Sequence, residues 1–394
     1  MSSQKLYISA IVAVIAVASG LAYRQRFVLG TVADTTSKKK HIPSPEKIPL
    51  TLTEWRKNML MGDDTGVWSE FRGVLQDAGV MLWPHSGSSF LKRKPSPYIR
   101  PNGYAYVTPS RGLDDFAPGS GRQLTLFEYS NDLKRPATLQ NGQDGIVRIV
   151  VLRETGHTHL NILRKIATEP LALLTHNHVL PMLTEIRFDP VTFCVFPLVG
   201  GESMRCSYSG LWAKSSVGDL LDMIMQALEG LAFIHDLKIA HRDAFSDNFL
   251  VEWQPESLRT MTVPTTRPRV YMNDFETAVM FEPDTDPSEC TCIGCPMGNP
   301  DTYTRPMTPE ILKEEPYDPF KLDVWQLGVS LVFETTIAPI DEIIASMWHG
   351  EDADRPTARE VLSRLSTIVH SIAPQSLLIP PVLLPDSDGD DAGV

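Results

Sequence analysis

Cysteine is scarce in this chain, and the five it has (Cys194, Cys206, Cys290, Cys292 and Cys295) are an odd number. They cannot all pair within one chain, and their spacing does not match the disulfide framework of a small secreted domain. A reducing compartment is the simpler expectation. Positive charge is also short: 36 Lys and Arg stand against 48 Asp and Glu, a net charge of −12. With no basic patch interleaved with aromatics, that balance argues against a nucleic-acid-binding protein. Histidine is missing from 242 through 348. The three thiols of Cys290-Thr-Cys292-Ile-Gly-Cys295 could form part of a zinc site, but no fourth ligand is visible. An unconstrained or redox-sensitive loop is the competing reading.

Long apolar runs are lacking too, with one exception. Leu6 to Tyr23 is eighteen residues without a charge, at the lower edge of what spans a bilayer. Lys5 precedes it, while Arg24, Arg26 and Lys38-Lys39-Lys40 follow it. That bias predicts a single-pass anchor with the rest of the chain facing the cytosol, so that the membrane is one expected partner. A signal peptide cleaved near Ala18-Ser19-Gly20 or Gly20-Leu21-Ala22 is the rival. The remaining 42% hydrophobic and 21% charged composition is that of a globular chain, long enough for one two-lobed domain with extensions.

What is present is a set of ordered motifs. Residues 241–248 read His-Arg-Asp-Ala-Phe-Ser-Asp-Asn, and 26 positions after the Asn, Asp274-Phe275 follows the apolar Val270-Tyr271-Met272. Thr308-Pro309-Glu310, Asp323-Val324-Trp325-Gln326-Leu327-Gly328 and Asp354-Arg355-Pro356 come next, in that order. This series resembles the eukaryotic protein kinase domain, over roughly residues 120–370. The resemblance implies an α+β, bilobal fold with a small five-stranded antiparallel N-lobe and a mainly helical C-lobe. It implies ATP and Mg²⁺ as substrate and cofactor, and a protein substrate or protein partner. Asp243 would be the catalytic base. Asn248 and Asp274 would hold the metal and so the nucleotide. Glu310 and Arg355 would pair, and Arg242 could receive a phosphate from Thr302, Tyr303 or Thr304.

Periodicity supplies the elements. Leu124–Tyr129, Pro136–Leu139, Ile146–Leu152, Leu180–Ile186 and Phe193–Phe196 read as strands, the second and third joined by the Asn141-Gly142 turn. Leu160–Ile166 reads as a helix, and the apolar positions 217, 220, 221, 224, 228 and 231 as another. Thr357 and Glu360 are spaced as a capping box before a third. The expected organisation is an anchor segment over 1–30, linker and N-terminal extension over 31–119, N-lobe over 120–199, C-lobe over 200–372 and an acidic disordered tail over 373–394.

Several positions depart from the family pattern. The turn Ser130–Arg135 contains no glycine, although a glycine-rich turn lets the backbone approach phosphates closely. The third strand has Arg148, or in a shifted register Val150, where the resemblance implies a phosphate-binding lysine; Arg148 and Lys134 are the alternative phosphate clamps. His159 stands where the paired Glu is expected. Glu276 replaces the Gly after Asp-Phe, and Phe245 replaces a catalytic-loop lysine. Only 32 positions separate Asp323 from Arg355, so the substrate-docking region between them is shortened. Two functions stay open: phosphoryl transfer to protein hydroxyls at a weak or impaired rate, or a catalytically inactive pseudokinase scaffold that binds a partner.

Overall fold

A computed structural model describes residues 48–57, 67–86, 89–91, 126–128, 131–199, 203–209, 216–251, 269–298, 300, 303–350 and 352–384. The apolar segment Leu6–Tyr23, the hinge glycines Gly200 and Gly201, Thr302 and the acidic end from 385 lie outside the described residues. The small lobe is built on a five-stranded antiparallel sheet of order β1-β5-β6-β8-β7. Its strands are β1 (Val80–Leu82), β5 (Lys134–Leu139), β6 (Asp144–Leu152), β7 (Thr184–Phe188) and β8 (Val191–Pro197). Helix α3 (His157–Ile166) lies between β6 and β7 in sequence. The β5–β6 hairpin closes as its sequence demands: Asn141 accepts from the Gln143 amide at 3.0 Å, and Gly142 takes φ of 80°.

The first strand differs from expectation. Leu126–Glu128, β4, does not join the large sheet. It pairs with β3 (Ser89–Leu91), which pairs with β2 (His85–Ser86) in a separate three-stranded sheet. The edge strand is β1, only three residues long and too short for alternation to reveal. Trp83 fixes it, donating its amide to Pro136 at 2.9 Å and its indole N–H to Thr138 at 3.0 Å. The connection between the first two strands of the sheet is therefore residues 83–133, not the short turn 130–135. The boundary expected at 120 moves as well. Helices α1 (Leu52–Lys57) and α2 (Val67–Asp77) cover the outer face of the sheet, where Trp55, Trp68 and Phe71 cluster with Phe193. The N-terminal extension is part of the small-lobe core. Burying three large aromatic rings on one sheet face is a large apolar contribution for so short a segment.

The large lobe is mainly helical. It holds α4 (Met204–Ser209), α5 (Val217–Asp236), α6 (Pro309–Leu312), α7 (Pro319–Val329), α8 (Ala338–Ser346) and α9 (Ala358–Ser371). Short pairs β9 (Ile239–Ala240) with β12 (Val279–Met280), and β10 (Phe249–Val251) with β11 (Val270–Met272), flank the loops between them. The apolar face read for α5 is buried along its length, and the Thr357–Glu360 capping box of α9 forms with both reciprocal bonds. Between α7 and Arg355 the described chain has one nine-residue helix, α8, in keeping with the shortened region. The tail does not become disordered at 373. Leu377 is buried against Gly218, the Ile379 carbonyl accepts the Val217 amide at 2.9 Å, and β14 (Val382–Leu383) pairs with β13 (Phe333–Glu334).

The expected membrane localisation is corrected. Among the described residues no helix is long and apolar enough to cross a membrane.

Candidate active site

One buried helix builds the catalytic loop. Asp323, on α7, is fully buried and accepts from the backbone amides of His241 at 2.8 Å and Arg242 at 2.6 Å, and contacts the His235 ring at 2.9 Å. Gln326 accepts from the Ala244 amide at 2.8 Å and donates to the Arg242 carbonyl at 3.0 Å. Ser330 accepts from the Ser246 amide at 2.9 Å. These three lie at i, i+3 and i+7, so they share one face. Four consecutive-to-alternate amides of a loop that cannot form a ladder find acceptors there. The sequence pattern singled out Asp323. Gln326 and Ser330 went unnoticed, although the polar spacing in an apolar helix was their signal.

The loop brings Asn248 and Asp243 into direct contact. Asn248 Nδ2 donates to both the carbonyl and Oδ2 of Asp243, at 2.7 Å each. Its Oδ1 has no protein donor among the described residues. Asp243 Oδ1 accepts from the Tyr303 hydroxyl at 3.0 Å. Burial raises the Asp243 pKa, while the charges of Arg305 and His241 and the Tyr303 hydrogen bond pull it down. His241 packs on Phe275 with ring centroids 4.7 Å apart, and its Nε2 contacts the Asn273 carbonyl at 2.8 Å. That contact brings Asp274 to the site.

Asp274 is in the left-handed region, with φ of 66°, and the next three residues make a 3-10 turn. The positive φ thus falls on Asp274 itself, a residue type that tolerates it, and Glu276 needs no glycine-like freedom. Arg148 Nη2 bonds Asp274 Oδ1 at 2.7 Å and Glu276 Oε2 at 2.8 Å. Burial works against the Asp274 carboxylate, yet the Arg148 charge and hydrogen bond outweigh it and hold its pKa well below the usual range. Arg56 of α1 pairs with the same Glu276. The chain of ions therefore runs Arg56, Glu276, Arg148, Asp274, and ties the N-terminal extension to the candidate metal ligand.

The register is that with Arg148 at the site; Val150 is buried in the apolar core beyond a bulge between Ile149 and Val151. His159, buried on α3 at the edge of a small cavity shared with Arg148 and Asp274, offers no carboxylate. Burial, assisted by the Arg148 charge, pushes its pKa down to about 3, so the ring is neutral at pH 7. Lys134 stands directly across from Arg148 on β5. Its ammonium makes no hydrogen bond or ion pair among the described residues, and burial lowers its pKa against the pull of Asp274.

On the activation-segment side, Arg242 is already engaged. Its guanidinium donates to the Tyr317 hydroxyl at 2.8 and 3.2 Å and to the Thr277 carbonyl at 3.4 Å. Tyr303 is buried and Thr304 is exposed. A phosphate receiver at Arg242 is therefore not what this arrangement provides. Glu310 and Arg355 pair at 3.4 Å, and Asp352 adds a second carboxylate to Arg355 at 3.2 Å. Cys290 and Cys295 are buried free thiols, Cys292 is half-buried, and no metal-holding group of three His, Cys, Asp or Glu occurs among the described residues. Sequence reasoning missed Arg305 entirely. It reaches Asp243 and Asp247 from the stretch before Thr308-Pro309-Glu310. Its only signal was the uncharged Phe245, which called for a cation from elsewhere.

Comparisons with known proteins agree with these motifs. The protein kinase domain family matches residues 156–340. A serine/threonine-protein kinase of Suid herpesvirus 1 is 28% identical over 218 residues, covering 51% of this chain and 54% of the viral protein. The serine/threonine-protein kinase 1 of Arabidopsis thaliana is 26% identical over 216 residues, covering 53% of this chain and 23% of its own length. A calcium/calmodulin-dependent protein kinase type 1 of Caenorhabditis briggsae is 26% identical over 178 residues, covering 45% of this chain and 41% of the nematode protein. The chain thus spans about half the length, or less, of these relatives.

Proposed function

The chain carries a eukaryotic protein kinase domain, matched by the family over residues 156–340, and from that premise we propose that it binds Mg-ATP weakly and transfers the γ-phosphoryl group slowly to a protein hydroxyl. The observation that supports this best is the state of Asn248. Its Nδ2 is committed to Asp243, and its Oδ1 is left without a protein donor among the described residues, the disposition a metal-binding amide requires. Asp274, ionised and beside it in the site, completes a fitting oxygen pair. Mg²⁺, when bound there, neutralises phosphate charge.

The chain's own groups divide the remaining work. Asp243 accepts the proton of the attacking hydroxyl while that oxygen bonds to the γ-phosphorus. The bond from phosphorus to the β,γ-bridging oxygen breaks, and its electron pair leaves with ADP. Lys134, uncommitted and facing Asp274, is the group available for the phosphates. Arg148 is not, because two carboxylates already hold it. Slow turnover follows from the same ion pairs. A cation sits on the metal ligand, and the helix that should compete for that cation offers only neutral His159. Losing one preorganised charged group of this kind costs about 10²–10³ in rate.

The same clamp favours a second reading, a scaffold without turnover. Transfer of labelled phosphate from ATP to a mixed peptide acceptor separates the two. The proposal expects slow incorporation, below the roughly 1–100 s⁻¹ of ordinary kinases, abolished by Asp243→Asn. Incorporation that survives Asp243→Asn, or none at all from the unmodified chain, leaves only the scaffold.

A further inference from the structure

The catalytic loop carries Phe245 where the resemblance implies a lysine, yet the place beside Asp243 is not without a cation. Arg305 fills it from the end of the activation segment. Its Nε lies 3.7 Å from Asp243 Oδ1, its Nη1 is 2.7 Å from Asp247 Oδ2, and its Cζ sits 5.1 Å over the Phe245 ring. Phe245 is itself buried among Cys295, Tyr303 and Ile311, so it is a fixed floor for the guanidinium. Arginine suits this setting and lysine does not, since a planar group can stack on a ring while its edge bonds carboxylates. Burial lowers the guanidinium's proton affinity, but Asp247 and Asp243 more than offset that, so it stays charged. Its Nη2 has no protein partner among the described residues, and the side chain is 30% exposed.

We infer that Arg305 supplies the cation the catalytic loop lacks: Asp247 and the Phe245 ring hold its guanidinium beside Asp243, and its free Nη2 edge meets the phosphoryl group being transferred. The inference rests on the reading of the domain as an ATP-dependent phosphotransferase. The placement supports it. Asp247 and the Phe245 ring fix two sides of the guanidinium, so the group is held in one position next to the proton acceptor. A cation fixed in advance where charge develops acts on the transition state more than on ground-state binding. A purely structural Arg305 would tie Asp247 to the segment and leave kcat where it is.

The test compares the full chain with Arg305→Met and Arg305→Lys in steady-state phosphotransfer. Arg305→Met keeps a side chain able to cover Phe245, and Arg305→Gln serves as a second variant should it fold poorly. The expected result is a kcat lowered about 10²-fold, with KM for ATP changed far less. Arg305→Lys recovers part of the kcat. A kcat within about twofold of the unmodified chain (an effect near 0.4 kcal/mol), or a KM for ATP that rises as much as kcat falls, overturns the inference. If the unmodified chain shows no turnover, the phosphotransferase reading fails instead. Binding of Mg-ADP with aluminium fluoride, which stands in for the phosphoryl group, then still decides the inference: Arg305→Met must bind it more weakly than the unmodified chain, and an equal affinity overturns it.

Discussion

On the large-lobe side of the cleft, the groups that would meet the acceptor and the metal are held by hydrogen bonds from one buried helix. Asp323, Gln326 and Ser330 of α7 fix the loop backbone, and Asn248 fixes Asp243. On the small-lobe side, Arg148, Glu276, Asp274 and Arg56 hold one another mainly by charge, with neutral His159 looking on. The difference separates a site held by hydrogen bonds from one held by charge. A loop whose amides are satisfied by an internal helix can keep its geometry while its neighbours change. A phosphate clamp built from free charges cannot, because any carboxylate that approaches will take up the cation.

The largest effect should come from the hydrogen-bonded side. Asp323→Ala removes the acceptor for two buried amides and leaves His235 without its partner. A loss of roughly 3–5 kcal/mol in unfolding free energy is expected from chemical denaturation, with nucleotide binding lost as the loop rearranges. A loss under about 1 kcal/mol would mean that α7 does not organise the loop, and the contrast between the two sides would dissolve.

Arg148→Met tests the ionic side, and its effect should be smaller, about 2 kcal/mol at pH 7. Both carboxylates it touches keep some solvent, so the full cost of a broken buried pair is not reached. Its pH dependence has a definite sign. The folded-state pKa of Asp274 is depressed, so its contribution is complete above the ordinary Asp value and declines as pH falls through the depressed one. In Arg148→Met the opposing charge and hydrogen bond of Arg148 are gone, so burial raises the pKa against the weaker pull of Lys134. The deficit of the variant should therefore narrow below about pH 4. Denaturation curves at pH 7 and pH 3 with the same deficit would show that the Arg148 charge does not hold Asp274.

Arg56→Ala is the mildest test. The pair with Glu276 is partly exposed, so roughly 0.5–1 kcal/mol is expected. It sharpens the comparison by asking whether the extension tunes the site. Freed from Arg56, Glu276 should compete better for Arg148 and loosen it from Asp274, seen as a modest gain in Mg²⁺-dependent nucleotide affinity by calorimetry. A loss of that affinity would contradict the proposed competition.

Much of the hydrogen-bonded side was legible in the sequence. Residues 241–248 carry their chemistry in one contiguous stretch, and Asp323 and Arg355 stand in recognisable local patterns. The ionic side was not, because its partners are far apart: Arg148 meets Asp274 and Glu276 across 126 and 128 positions. No local pattern announces such a pairing. The bulge between Ile149 and Val151 also left Arg148 and Val150 as rivals until the register was seen. The edge strand Val80–Leu82 is too short to show alternation, so Leu124–Tyr129 took its place in the reading and the N-lobe was begun forty residues late. Arg305 escaped for the same reason as the clamp. Its role is defined by Phe245, which lies in a different segment.

The central claim is that Asn248 and Asp274 still form a metal-dependent nucleotide site despite the clamp on Asp274. Isothermal titration of the full chain with ATP, in Mg²⁺ and again in EDTA, tests it most directly, with Asp274→Asn alongside. The account predicts a dissociation constant of tens of micromolar or weaker in Mg²⁺, on the order of −6 kcal/mol. It predicts a clear weakening in EDTA and no Mg²⁺ dependence in Asp274→Asn, whose fold stays intact. Equal affinity with and without Mg²⁺, or a Mg²⁺ dependence that persists in Asp274→Asn, would contradict it.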